Sequence, residues 1–117
     1  MKAYYDQQPE RLTIDNDGTY VFRWNIKKIT EEKRTGWQEE KRTQWQCDEV
    51  RCSGNPDIDK VKLAIIRDSY DANREFSIIN KYNSHQLGVT VNPDAVDNYT
   101  EYLTFLKEID DILLQGF

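Results

Sequence analysis

Nowhere in this 117-residue sequence do apolar residues run for the roughly 18 positions of a membrane span, and the opening MKAYYDQQPE has no apolar core of the kind a secretory signal carries. Both absences point to the cytoplasm and to no membrane partner. Cysteine is scarce as well. Cys47 and Cys52 are the only two, and their separation of five puts them on opposite faces of a strand, which favours free thiols over a disulfide. A single histidine, His85, would leave carboxylates to fill most of a zinc shell, so no metal is expected. The five glycines are dispersed and form no GxxxxGK[ST] or GxGxxG phosphate loop, so no nucleotide or other cofactor is expected either.

The residues that are present describe a globular chain: 38% hydrophobic, 12% aromatic and 32% charged. That is too aromatic for a disordered protein, and the length suits one domain, 1–117, burying roughly two-thirds of its unfolded surface. Charge is unevenly spread. Residues 1–54 carry ten bases and ten acids, whereas residues 55–117 carry six and eleven; from Pro93 to Phe117 one lysine stands against six acids. Nucleic acid would be repelled there.

The first half alternates. Tyr20, Phe22, Trp24 and Ile26 are large and apolar with Arg23, Asn25 and Lys27 between them, the period of two of a half-buried strand. Before it, RLTI and DNDG predict a short strand and a three-residue loop with left-handed Gly18, pairing Ile14 with Tyr20 and Leu12 with Phe22. Next comes an octad stated twice, EEKRTGWQ and EEKRTQWQ, over 31–46. Eight is even, so along a strand both copies show one face, with Trp37, Trp45 and Cys47 together; in a helix the copies would be rotated by about 80°. A reversal at Thr35-Gly36 would pair residues summing to 71, setting Trp24 opposite Cys47 and Ile26 opposite Trp45. Beyond Cys47 the pattern changes phase at Val50 and Cys52, which a bulge near Asp48 or burial on both faces would reconcile.

The period then switches to that of helices. Asn55-Pro56 predicts a helix start, followed by a stripe of Ile58, Val61, Ile65 and Ile66 widened by Leu63 and Ala64. Asp71 is placed to cap a second helix carrying Phe76, Ile79 and Tyr82 on one face, and Gly88 to end it. Asn92-Pro93 repeats the start signal before a long third helix with Val96, Tyr99, Leu103, Leu106, Ile109 and Leu113, broadened by Tyr102, Phe105 and Ile112. The expected fold is therefore α+β: an N-terminal antiparallel meander with a long hairpin (1–54), then three helices packed on it (55–117).

The inventory for catalysis is thin. His85 adjoins Ser84, but neighbours on a helix do not face each other, and a histidine at a helix end is read as a cation beside the last carbonyls. The acid pairs Glu31-Glu32, Glu39-Glu40 and Asp110-Asp111 read as solvated charge. Lys27-Lys28, Lys33-Arg34 and Lys41-Arg42 near Trp37 and Trp45 imitate a surface for single-stranded nucleic acid, but the interleaved glutamates cancel that field. Asp110 and Asp111 sit at the unfavourable end of the third helix dipole, which is met either by a basic group from a partner or a neighbouring subunit or by plain solvation and salt screening.

Taken together, YVFRWNI, TQWQCDEV, the RDSYDANREFSIINKYNSHQLG segment and a closing helix rich in Tyr, Phe and Leu resemble a group of small uncharacterised prophage-encoded proteins of gut bacteria. The resemblance runs from about Tyr20 onward and is sharpest over Arg67 to Gly88; the doubled octad departs from it. It implies a place among phage structural genes and transfers no catalytic residue. The expectation is a non-enzymatic phage accessory protein, a tail or particle-assembly component that is either cytoplasmic in the bacterial host or also incorporated in the virion, and that binds a phage structural protein or a further copy of itself. Trp37 and Trp45 are the candidate anchors. The alternative is a small acidic inhibitor that presents Asp110 and Asp111 to a basic site on a host protein.

Overall fold

The structure, a computed structural model, describes the backbone of residues 1–35 and 38–116, and the side chains of that range apart from 31–42. The chain divides into two compact units, Met1–Asp57 and Ile58–Gly116. The first holds a four-stranded antiparallel sheet and the second three helices, the α+β architecture that the change of period predicts.

The strands are β1 (Lys2–Tyr5), β2 (Leu12–Ile14), β3 (Thr19–Thr35) and β4 (Gln38–Ser53), in the order β1-β4-β3-β2. β2, β3 and β4 form the expected meander. β1 is an addition: its four residues pair with β4 from Lys2↔Asp48 to Tyr5↔Trp45. Because β1 and β2 lie at opposite edges, the connection between them must cross β4 and β3. Arg23 meets it there. Its backbone N–H donates to Arg11 O at 2.7 Å and its guanidinium to Glu10 O at 3.0 Å.

Arg23 is 7% exposed, and each of its neighbours comes from a different part of the sheet. Nε donates to Glu49 Oε2 on β4 and to the Tyr5 hydroxyl on β1, both at 3.2 Å, and Nη1 to Thr13 Oγ1 on β2 at 2.6 Å. Tyr5 in turn donates to Glu49 at 2.5 Å, and the guanidinium lies 4.9 Å from the Tyr5 ring centre. Burial, then the bond to Glu49, pushes the Tyr5 hydroxyl above its ordinary pKa. A charge this deep is tolerated because its donors are met. With Tyr20, Val21 and Phe22 also buried, the centre of β3 is covered on both faces.

The β2–β3 loop is as predicted, with Leu12↔Phe22, Ile14↔Tyr20 and Gly18 at φ 82°. The β3–β4 register is a correction. Trp24 faces Asp48 rather than Cys47, and Trp45 faces Lys28 rather than Ile26. From Lys27 outward the partners sum to 73, and from Trp24 inward to 72, with the extra residue in β3 rather than near Asp48 in β4. Asn25 takes up the bulge at φ 54°, a left-handed conformation that asparagine tolerates, and its amide donates to Asp48 at 3.3 Å. Two demands force the shift. The inner register sets Phe22 against Val50 and Tyr20 against Cys52, both buried or half-buried. The outer one sets Glu31 against Arg42, Glu32 against Lys41, Lys33 against Glu40 and Arg34 against Glu39. A sum of 71 would instead oppose Glu31 to Glu40 and Glu32 to Glu39, like charges on adjacent strands. The rings therefore do not share one side. Tyr20, Phe22 and Trp24 lie with Val50 on one face, and Trp45 with Cys47 and Glu49 on the other, as alternation along each strand requires.

In the second unit α1 spans Ile58–Ser69, α2 Ala72–Gln86 and α3 Asp94–Leu114. α1 starts later than Asn55 predicts: the Asp57 N–H is held by the Tyr20 hydroxyl at 3.2 Å, and the helix begins at the next residue. Asp71 caps α2 by accepting the Arg74 N–H at 2.7 Å. Gly88, at φ 74°, ends it, with its own N–H donating to His85 O and that of Val89 to Ser84 O. The predicted cap at Asn92 is not made by a side chain; α3 opens on Pro93, with the Asn92 carbonyl accepting the Ala95 N–H. Val61, Ile65, Ile66, Tyr70, Ala95, Tyr102, Ile109 and Leu113 are the unit's buried apolar residues, while Leu63 and Leu103 stay exposed. Phe76 is 63% exposed, against expectation. Glu75 takes the inward position in its place, because Tyr102 and Arg67 satisfy its carboxylate.

Arg23→Ala leaves Glu49 and the crossing connection without their shared donor. It should lower the unfolding free energy by about 3 kcal/mol in urea titrations; a loss below about 1 kcal/mol would show that the sheet does not depend on this contact.

Candidate functional site

Beyond Trp45 on β4 and Phe22 on β3, neither β1 nor β2 follows the hairpin. Residues 29–35 and 38–44 thus pair with each other as a two-stranded ribbon of roughly 25 Å, and among the described residues its outer edges have no strand partner. Of the two expected anchors, Trp37 lies outside the described residues. Trp45 stands at the root of the ribbon, half-buried between Tyr5 on β1 and Lys28 on β3.

Asp110 and Asp111 belong to α3, in the other unit. The basic group that Asp110 was expected to seek is supplied by the chain itself: Lys62 of α1 lies 2.7 Å from its carboxylate, beside an apolar cleft of about 370 Å³ lined by Ile58, Leu113 and Leu114. Asp111 is exposed. Sequence reasoning missed a second acidic surface on the same helix. Asp97, Glu101 and Glu108 edge a groove of about 550 Å³ into which Phe105 and Tyr70 also face. The signal was available in the spacing of those acids, at intervals of four and seven, but Tyr70 joins them only through the fold.

Burial pushes the Cys47 thiol up, which makes it a poor nucleophile, and Cys47 and Cys52 form no disulfide. His85 Nδ1 accepts the Asn92 N–H at 3.0 Å and ties the end of α2 to the start of α3. Ser84 Oγ lies 2.9 Å from Thr90 Oγ1, in the same loop. Among the described residues no helix is long and apolar enough to cross a membrane, and no three His, Cys, Asp or Glu side chains are grouped to hold a metal ion.

Among the described residues, the largest shift in titration belongs to a half-buried contact between α2 and α3. Burial, then a 2.5 Å hydrogen bond donated to Glu75, pushes Tyr102 from 10.0 up to about 12. That bond, with Arg67 alongside, holds Glu75 below its ordinary 4.5. Tyr102 therefore contributes stability that is complete below pH 10 and is lost as pH rises to about 12; the Glu75 contribution is present above pH 4.5 and is lost as pH falls through its lowered value. Tyr102→Phe should cost about 2 kcal/mol at neutral pH and flatten the alkaline fall of the urea midpoint between pH 10 and about 12. An unaltered alkaline limb would assign that fall to other tyrosines. In comparisons with known proteins, no family model, no curated protein and no solved structure matches this chain.

Proposed function

We propose that the protein is a non-enzymatic accessory component of a phage or prophage, acting in the assembly of a tail or particle through protein contacts made by the ribbon. The observation that supports this reading is the pair of outer strand edges along 29–35 and 38–44, with Trp45 at their base. An extended backbone with unpaired N–H and C=O groups accepts a further strand from a partner. The charges in the octads make that acceptance selective. An incoming strand without a matching run of acids and bases sets like charges side by side. Two-fold pairing of β3 with its own copy, centred within Glu31–Arg34, opposes Glu32 to Glu32 or Lys33 to Lys33 at its centre and acids to bases on either side of it. In this reading the occupant is a strand of a different protein, a structural component of the particle. No catalytic role is assigned to any residue.

Replacing residues 29–44 with Asn-Gly joins Lys28 to Trp45, which are already Cα partners, and should leave the inner sheet intact. In the bacterium that encodes it, the full chain should sediment with the particles released on prophage induction, and the shortened chain should remain in the soluble fraction with an unchanged urea midpoint. Sedimentation of both chains with the particles, or of neither, would refute the ribbon as the docking element.

A further inference from the structure

β1 fills only part of the edge that β4 presents. Met1 and Glu49 exchange backbone hydrogen bonds, the Glu49 N–H donating to Met1 O at 2.8 Å and the Met1 ammonium to Glu49 O at 3.3 Å, and the pairing runs without a shift to Tyr5↔Trp45. In an antiparallel ladder every second residue turns its N–H and C=O toward the same neighbour, so Glu49, Cys47 and Trp45 face β1. The same alternation carries outward to Thr43, Lys41 and Glu39, where β4 runs on and β1 has turned away. Among the described residues no strand lies beside those three. The edge of β3 is different. Its Arg23 N–H goes to Arg11 O, and the bulge with left-handed Asn25 then breaks the line before Lys28, so no ladder already begun continues along it.

We infer that the ribbon takes its partner strand on the β4 edge, in line with β1 and running in the same direction, and that this strand reads apolar, acid, acid, base, base. The inference rests on the ribbon as the docking element and adds the edge, direction and sequence that fill it. A strand in line with β1 runs toward the hairpin tip and meets Thr43, Arg42, Lys41, Glu40 and Glu39 in that order. Acids therefore belong opposite the two bases, and bases opposite the two acids. The residue opposite Thr43 lies on the face of Trp45, beside a ring that is only half-buried, and an apolar side chain there covers it. The run Thr30 to Arg34 on β3 of a second copy carries the matching charges, but in that register its Lys28 falls opposite Trp45, a position Tyr5 already holds. A strand that starts or turns beside Gln44 fits the edge.

The test adds an eight-residue peptide, TVEEKKVT, to the full chain at millimolar concentration and follows backbone amide exchange by NMR. Exchange should slow at least threefold at Glu39, Lys41 and Thr43 and stay unchanged at Thr30, Glu32 and Arg34 on the β3 edge. The charge-inverted peptide TVKKEEVT should slow none of them. Slowing on β3 instead, equal slowing by the two peptides, or no slowing with either would overturn the inference without reference to any particle. In the sedimentation assay, Lys41→Pro removes one outward N–H of β4 and Glu32→Pro one of β3, while the ladder between the two strands keeps its own donors. The Lys41→Pro chain should remain in the soluble fraction and the Glu32→Pro chain should sediment with the particles. If Lys41→Pro sediments while the chain shortened at 29–44 does not, the ribbon stays the docking element and the choice of edge is wrong.

Discussion

The sheet is organised around one buried guanidinium. A connection between strands at opposite edges of a sheet has to pass over the strands between, and its backbone needs hydrogen-bond partners wherever it shuts out water. Arg23 supplies them from below while reaching β1, β2 and β4 at once. An aliphatic residue would fill the space but would leave the Glu10 carbonyl and the Glu49 carboxylate without this donor. The ion pair therefore contributes more to choosing this arrangement of strands than to net stability, since burying two charges offsets much of what their attraction provides.

Arg23 also explains why part of the fold was legible in the sequence and part was not. Local signals held: the loop at Gly18, the cap at Asp71 and the stop at Gly88 depend on a few adjacent residues. β1 escaped because four residues carry little period, and its strand exists through pairing with a segment 40 to 46 residues away. Arg23 itself read as the polar side of a half-buried strand, because nothing local indicates that the chain will return over it. Phe76 and Glu75 exchanged expected places for a similar reason: a carboxylate with an arginine and a tyrosine hydroxyl to hand is more comfortable inside than hydrophobicity alone suggests.

The doubled octad is the clearest case of a signal present and misread. Periodicity of two marks the strands, but apolar matching alone predicts a register two residues away from the one that forms along the outer arm. The register that forms sets acids opposite bases along the outer arm. The run Glu-Glu-Lys-Arg, laid antiparallel to a second copy of itself, opposes an acid to a base at all four positions, so repetition in sequence becomes complementarity across the hairpin. Of the residues expected to bind a partner, Trp45 and Asp110 already have neighbours within their own units, Lys28 and Tyr5 for the first and Lys62 for the second. The α3 groove could not be read without the fold, because Tyr70 and Phe105 are 35 positions apart in the chain.

The bulge at Asn25 works like a clutch between two gears. On its inner side the meshing of teeth is dictated by apolar bulk, on its outer side by alternating sign, and the single surplus residue lets both run without forcing a compromise on either. Growth or shrinkage of the outer arm by whole octads adds or removes four rungs while parity at Trp24 and Asp48 stays fixed. A lineage carrying this sheet is thus free to lengthen or trim its reach by copying eight codons, with no repair needed in the interior.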